Sequence, residues 1–443
     1  MKSNTLGFAV FAAMLVGNAA AAEPVSFEYW YGLTGDLGEV VQETCTRFNA
    51  SQTDYVITCV GQDGYEKAVQ NTIAAFRAGQ HPTVMQSFDA GTADLMLSGQ
   101  FYPVHQMMAD FGIEINWANY FPAIANYYST SDGKFVSMPF NSSTPVYYFN
   151  KAHLADAGIT EAPLTFEALE VAMNALKAAG HDCPMAYAPS AWIDLEQFSM
   201  VHNIPVASND NGYAGIDTVM LYNTTLEVKH IENIKRWLDE GLYVMRTADS
   251  GLTARDSFVQ GECSMFFSSI ADHNTVGKTA PAELKWDVQM IPTYEGYDRY
   301  NTVVGGASLW VLAGKTEEEY RGAAAYLQFL ATPESEEWFV SNTGYIPVTI
   351  GAFKQLTEKG FYGKAPYAGR EIALASLTYT EPTNLTRGLR IGSMIQTRAE
   401  WTNEVTAALN GDKTVQEALD TAVARSNEIM GRFAQTYAGK TFP

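Results

Sequence analysis

Across residues 25–88 the hydrophobic period switches repeatedly between two and 3.6, and this constrains the fold more than any other feature. Residues 25–31 and 55–60 carry β-branched and aromatic side chains in strand-like alternation, and 83–88 continues the pattern. Between them, 36–49 and 65–78 place apolar residues at helical spacing. A β-α-β-α-β run of this kind predicts an α/β fold with a mostly parallel sheet and helices on both faces. Ligands of such folds bind outside the carboxyl ends of the strands, in a crevice.

Later elements keep the same style. Thr165 is placed to cap a helix in which Phe166, Leu169, Met173 and Leu176 recur at helical spacing, and Gly180 stops it. Thr332-Pro333 opens another helix, and 398–437 reads as helical with a break at Asn410-Gly411-Asp412. There is no internal repeat and no Gly/Ser linker. Two lobes joined by extended crossovers fit this pattern, with 138–150 and 288–292 as candidate passages.

Composition sets the class of partner. The 443 residues are 47% hydrophobic and 12% aromatic, enough to build real cores and too much for a disordered chain. Lys+Arg number 28 against 49 Asp+Glu, a formal charge of −21. A surface this acidic repels nucleic acid and anionic lipid, while leaving room for one small anion in a local pocket.

Lys2, an apolar run over 6–16 and the small residues Ala19 to Ala22 have the form of a secretory signal peptide, with cleavage expected after Ala22. No cysteine follows to carry a lipid, so the expected product is exported, soluble and periplasmic. In an oxidising compartment Cys45, Cys59, Cys183 and Cys263 permit two disulfides. Cys45 and Cys59 suit a local staple; for Cys183 and Cys263 the sequence leaves both a bond and two buried thiols open. The seven histidines lack paired spacing and there is no C-x-x-C, so no metal is expected.

No catalytic residues stand out. Ser308, in Gly305-Gly306-Ala307-Ser308, does not fit a nucleophile elbow, and neither a P-loop nor H-E-x-x-H occurs. Four other groupings draw the eye. Asn141-Ser142-Ser143-Thr144-Pro145 puts hydroxyls between two strand-like runs, either as a polar turn or as donors facing a cleft. Gly305-Gly306 follows a β-branched pair and serves either a bulge or close approach of a ligand to backbone N–H. Arg387, Arg390 and Arg398 have no acid between them. The aromatic residues Trp30, Tyr31, Tyr65, Trp192 and Tyr345 complete the set, with Tyr345 in the turn Thr343-Gly344-Tyr345-Ile346-Pro347.

These residues carry a resemblance. Arg47-Phe48-Asn49, 73–79, 139–146, 305–311, 343–347, Gly388-Leu389-Arg390 and 416–423 together resemble the extracytoplasmic solute-binding proteins of ABC importers, in the family's order. Within that family they are most similar to its glycerol-3-phosphate-binding subgroup. The resemblance implies a two-lobed receptor with residues 23–140 and 290–343 in one lobe and 141–289 and 344–443 in the other. It implies a phosphate held by Tyr65, Ser143, Ser269, Gly306, Tyr345 and Arg398, with Ser268 the neighbouring alternative to Ser269. Asp89 falls where the family grips the glycerol hydroxyls, and Trp192 where an aromatic wall stands.

Two departures bear on specificity. The family usually has Glu at the position of Asp89, and often a second Trp where Pro189 stands. Both alter the glycerol end rather than the phosphate end. The expectation is therefore a monomeric, non-enzymatic receptor without cofactor. It would bind glycerol 3-phosphate or a glycerophosphodiester and deliver it to an inner-membrane permease with a cytoplasmic ATPase. A sugar receptor of the same fold, or a secreted phosphodiesterase or glycosidase, are the rival readings.

Overall fold

The computed structural model describes residues 23–443, so the signal-peptide reading of 1–22 lies outside the described residues. Strand β1 (Val25–Tyr31), helix α1 (Gly35–Ser51), β2 (Tyr55–Gly61), helix α2 (Tyr65–Arg77) and β3 (Val84–Phe88) follow the predicted alternation closely. Both β1–β2 and β1–β3 are parallel. The helix Phe166–Ala178 is capped as expected: the Thr165 side chain accepts from the Ala168 N–H.

Further strands are β4 (Phe101–Tyr102), β5 (Met138–Ser143), β6 (Pro145–Asn150), β7 (Met185–Tyr187), β8 (Tyr243–Met245), β9 (Met265–Ser269), β10 (Trp286–Met290) and β11 (Gly305–Leu312). They form two sheets. The first runs β2-β1-β3-β11-β4, with β5 also paired to β11; the second runs β10-β6-β9-β7-β8. Each is mixed, because strands returning from the other half enter antiparallel: β11 against β3 and β5, and β6 against β9 and β10. The parallel part of each sheet is the part built by local β-α-β units, where a helix must carry the chain back before the next strand.

The chain passes from the first sheet to the second at Thr144, between β5 and β6. It returns between Met290 and Gly305, so residues 288–290 are an edge strand of the second sheet and the passage follows them. It passes once more between Asn342 and the helix Glu371–Leu377, which packs on β10. The helices Met394–Leu409 and Val415–Thr436 pair with each other and with Leu226–Asp239 against the second half. This is a two-lobed α/β architecture.

Both disulfides form, Cys45–Cys59 and Cys183–Cys263. The second follows from register: Met185 pairs with Met265 across parallel strands, and each cysteine lies two residues earlier. Closing loops of 14 and 80 residues stabilises by roughly 3 and 4.5 kcal/mol in the chain-entropy account. No described helix is long and apolar enough to cross a membrane.

Candidate ligand-binding site

The carboxyl ends of the parallel strands converge on the seam between the sheets. Tyr65 opens α2 just beyond β2, Asp89 begins a 3-10 turn directly after β3, and Ser269 ends β9. Gly306 and Ser143 meet there through the antiparallel pairing of β11 with β5, in which Gly305 lies opposite Ser143 and Gly306 opposite Ser142. Alternation along β5 puts Asn141 and Ser143 on one face.

Asn141 is the organising group on that face. It is fully buried, and its Oδ1 accepts from Gln86 Nε2 at 2.8 Å, while the Gln86 Oε1 accepts from the Gly32 N–H at 2.9 Å. The Asn141 amide nitrogen must then donate, and it does so to the Tyr65 hydroxyl at 2.7 Å. Because Tyr65 accepts there, its own proton is left to give. Tyr345 sits beside both: burial pushes its hydroxyl up to about 12, with bonds from Tyr65 and Asn141 pulling the other way. Burial raises Tyr65 further, reinforced by Tyr345. Tyr65 gives its own proton to Tyr345, so the relay Gly32–Gln86–Asn141–Tyr65–Tyr345 runs in one direction and ends in the Tyr345 hydroxyl proton. Such an end meets an acceptor and clashes with another donor.

The backbone around the relay tolerates little change. Gly306 has φ +96°, and a Cβ there would overlap the Asn141 carbonyl oxygen. A Cβ on Gly305 would overlap the indole of Trp192, which packs directly against that glycine. The two glycines therefore serve close approach, with the register shift of β11 displaced one step to Ala307/Ser308. The backbone just after Tyr345 is pinned by Glu336, a buried carboxylate that accepts from Val348 N (2.7 Å), Thr349 N (2.9 Å) and Thr349 Oγ1 (2.7 Å), while the Tyr345 ring itself stacks on Phe339. Ser268 donates to Asp272 at 2.6 Å, whereas the Ser269 hydroxyl accepts from the Ala271 N–H at 3.1 Å and keeps its proton to donate.

Arg398, in the second turn of the helix Met394–Leu409, reaches the same seam with different chemistry. Its Nε and Nη2 engage both oxygens of Glu196, at 2.5 and 2.7 Å, and Nη2 also bonds Asp89 Oδ2. Two carboxylates to one guanidinium leave the group with one net negative charge. All three side chains are sequestered, at 15%, 7% and 2% exposure for Arg398, Asp89 and Glu196. Burial pushes Glu196 up, and the Arg398 charge and hydrogen bonds pull it back. For Arg398, burial works downward but Asp89 and Glu196 more than reverse it, holding the guanidinium firmly charged. Arg398 lies 5.7 Å from the centre of the Phe88 ring, on which Tyr65 stacks at 5.2 Å, so the charged group adjoins the relay.

Glu196 escaped the sequence reading. It sits in a π-helical turn, Ala191–Gln197, which has Trp192 near its start and Glu196 four residues on, roughly one π turn. An acid embedded in the apolar run around Ile193 and Leu195 was the available signal.

The structure separates Arg398 from the other two arginines, which flank the Tyr213 ring together. Arg390 is buried and donates to the backbone carbonyls of Asn126, Tyr127 and Ser129. Arg387 lies over the Tyr213 ring at 4.1 Å and 4.0 Å from Asp210, on the wall of a cavity of about 680 Å³. Neither joins Arg398. Trp30 donates to Glu28 and Tyr31 to Gln42, apart from the relay.

A two-lobed frame with hydrogen-bonding groups gathered at its seam defines a receptor that grips a small solute between its halves. The family model for bacterial extracellular solute-binding proteins matches residues 43–360, and the chain belongs to that family. It is 36% identical over 444 residues to the sn-glycerol-3-phosphate-binding periplasmic protein UgpB of Salmonella paratyphi A, covering 98% of each chain. It is 37% identical to UgpB of Escherichia coli K12, covering 95% of this chain and 96% of that one. Among solved structures, UgpB from Mycobacterium tuberculosis in complex with glycerophosphocholine superposes with a TM-score of 0.76 at 16% identity, covering 93% of this chain and 100% of that one. Maltose-bound MalE3 of T. maritima gives 0.75 at 17%, covering 91% and 100%. At those identities the two structures speak for the fold.

Proposed function

We propose that this protein is a periplasmic receptor that binds a phosphorylated polyol, either glycerol 3-phosphate or a glycerophosphodiester, and hands it to an ABC permease driven by a cytoplasmic ATPase. The observation that carries this reading is the one-way relay that passes through Tyr65 and ends at the Tyr345 hydroxyl. A phosphate offers only acceptor oxygens along its rim, and the relay offers only protons. Ser143 and Ser269 would add hydroxyls from the facing ends of the two sheets, with Ser143 opposite Gly305 and beside the Gly306 backbone, and Ser269 opposite Pro145.

The second half of the ligand falls to Asp89 and Arg398. Asp89 Oδ1 and Arg398 Nη1 make no hydrogen bond among the described residues. One acceptor and one donor are what an alcohol needs, since a hydroxyl gives one proton and takes another. We therefore assign Arg398 to the polyol end rather than to the phosphate, because its charge is already more than matched by Asp89 and Glu196. Trp192, packed on Gly305, supplies the apolar wall. The relatives named for sn-glycerol-3-phosphate binding fit this assignment. Binding without turnover is the role proposed, with the two lobes closing as rigid bodies about the passages.

Thermal-shift and calorimetric titration with glycerol 3-phosphate, glycerophosphocholine, glycerol and maltose tests this. The two phosphate esters should bind and remain unhydrolysed, since a ligand at 100 times its dissociation constant adds about 2.7 kcal/mol to stability. Binding of maltose but neither ester, or sustained product release, would refute it.

A further inference from the structure

The site holds a second carboxylate that the polyol itself does not call for. Asp89 alone would neutralise Arg398 and leave an alcohol-reading pair. Glu196 instead takes both the Nε and Nη2 faces of the guanidinium, at 2.5 and 2.7 Å, and is nearly inaccessible to solvent. It comes from the opposite half of the molecule to Asp89, from the π-helical turn that also carries Trp192. We propose that Glu196 is a specificity-determining residue: it makes the polyol end net negative and orients Arg398, so that the site accepts a neutral alcohol and rejects a carboxylate at the same position. This rests on the functional reading above.

The physical case is one of sign and dielectric. An isolated arginine in a sequestered cleft attracts any anion and would welcome the carboxylate of a phosphorylated hydroxy acid as readily as the hydroxymethyl of a phosphorylated polyol. With Asp89 alone the group is neutral and indifferent. With Glu196 added, a ligand carboxylate must be placed against uncompensated negative charge where water cannot screen it, and like charges juxtaposed at buried sites are strongly disfavoured. An alcohol meets no such penalty. Bidentate attachment also fixes the guanidinium plane, leaving Nη1 as the donor without a protein partner. Specificity of this kind acts by excluding the wrong solute.

The pair of probes is glycerol 3-phosphate and 3-phosphoglycerate, which differ by a hydroxymethyl in place of a carboxylate. Titration calorimetry at pH 7.5 on the full chain should show the wild type preferring glycerol 3-phosphate by at least about 100-fold. In Glu196→Gln the ratio should narrow at least tenfold, through a gain for 3-phosphoglycerate. Glu196→Asp, which keeps the charge, should hold the ratio within about threefold of wild type. A mutation-free control uses the uncharged amide of 3-phosphoglycerate: on the wild type it should recover to within about tenfold of glycerol 3-phosphate. An unchanged ratio in Glu196→Gln, equal weakening of both probes, or an amide bound as poorly as the acid would overturn the role of Glu196. If the wild type binds glycerol 3-phosphate and 3-phosphoglycerate equally, the Glu196 assignment falls while the receptor reading stands. If it binds neither, the functional reading falls and this one with it.

Discussion

The hydroxyl end and the charged end of the cleft are built by opposite strategies. Tyr65, Ser143, Gly306 and Tyr345 are neutral, and strand register and a buried amide relay fix them in place. Asp89, Glu196 and Arg398 carry full charges and come from three elements, with Arg398 lying 309 and 202 residues from its two partners in sequence. At the first end Ser143 and Gly306 cannot be altered without disturbing a sheet. The second depends on single side chains, so under the proposed assignment discrimination among solutes can change while the hydroxyl end keeps its form.

If the two ends differ in this way, backbone changes at the hydroxyl end should do the most damage to binding. Gly306→Ala forces a Cβ into the Asn141 carbonyl at a positive φ; binding should be lost and stability should fall by about 2–4 kcal/mol in urea titration. Next comes Arg398→Ala, which strands Glu196 as a buried unpaired carboxylate. Affinity should drop roughly 100-fold and stability by about 3–5 kcal/mol. A milder loss with Arg398→Ala than with Tyr345→Phe would erase the contrast. Tyr345→Phe removes one proton from the relay end and should cost about tenfold in affinity, or about 1.4 kcal/mol, with little change in melting temperature.

The smallest expected effect on binding separates the charged end from its scaffold. Asp194 lies in the same π turn as Glu196, where burial lifts its carboxyl to about 7 against bonds from the Ser190 N–H and the Tyr187 hydroxyl. A carboxyl whose folded value exceeds its unfolded one binds more protons when folded, so its contribution favours folding at low pH. That contribution is lost as pH rises from about 4 to about 7. Asp194→Asn should flatten this part of the stability–pH profile relative to wild type and leave affinity for glycerol 3-phosphate unchanged. A parallel profile would show that Asp194 titrates normally.

Much of this was written locally. The β-α-β alternation of residues 25–88, the Thr165 cap and the break at Asn410-Gly411-Asp412 depend on neighbours in sequence, and the structure reproduces them. The hydroxyl end was legible only in part: local sequence left Asn141-Ser142-Ser143 open between a polar turn and cleft-facing donors, the structure makes it the end of strand β5, and the individual site residues came from the family resemblance. Glu196 was not, because among 49 acids nothing in spacing marks the one that meets an arginine 202 residues away. The arginines misled by proximity: Arg387, Arg390 and Arg398 are neighbours in the chain, but Arg387 and Arg390 flank the Tyr213 ring while the helix carries Arg398 to Asp89 and Glu196. The antiparallel returns of β6 and β11 were hidden too, since periodicity reports a strand and not its direction.

The two disulfides have a consequence for motion. Cys45–Cys59 braces α1 against β2, and Cys183–Cys263 braces β7 against β9, so each crosslink stays inside one sheet's territory. Oxidation therefore stiffens each jaw without clamping the bite. A receptor built this way can be made chemically rugged for life outside the cytoplasm and still cycle freely at every round of capture and release.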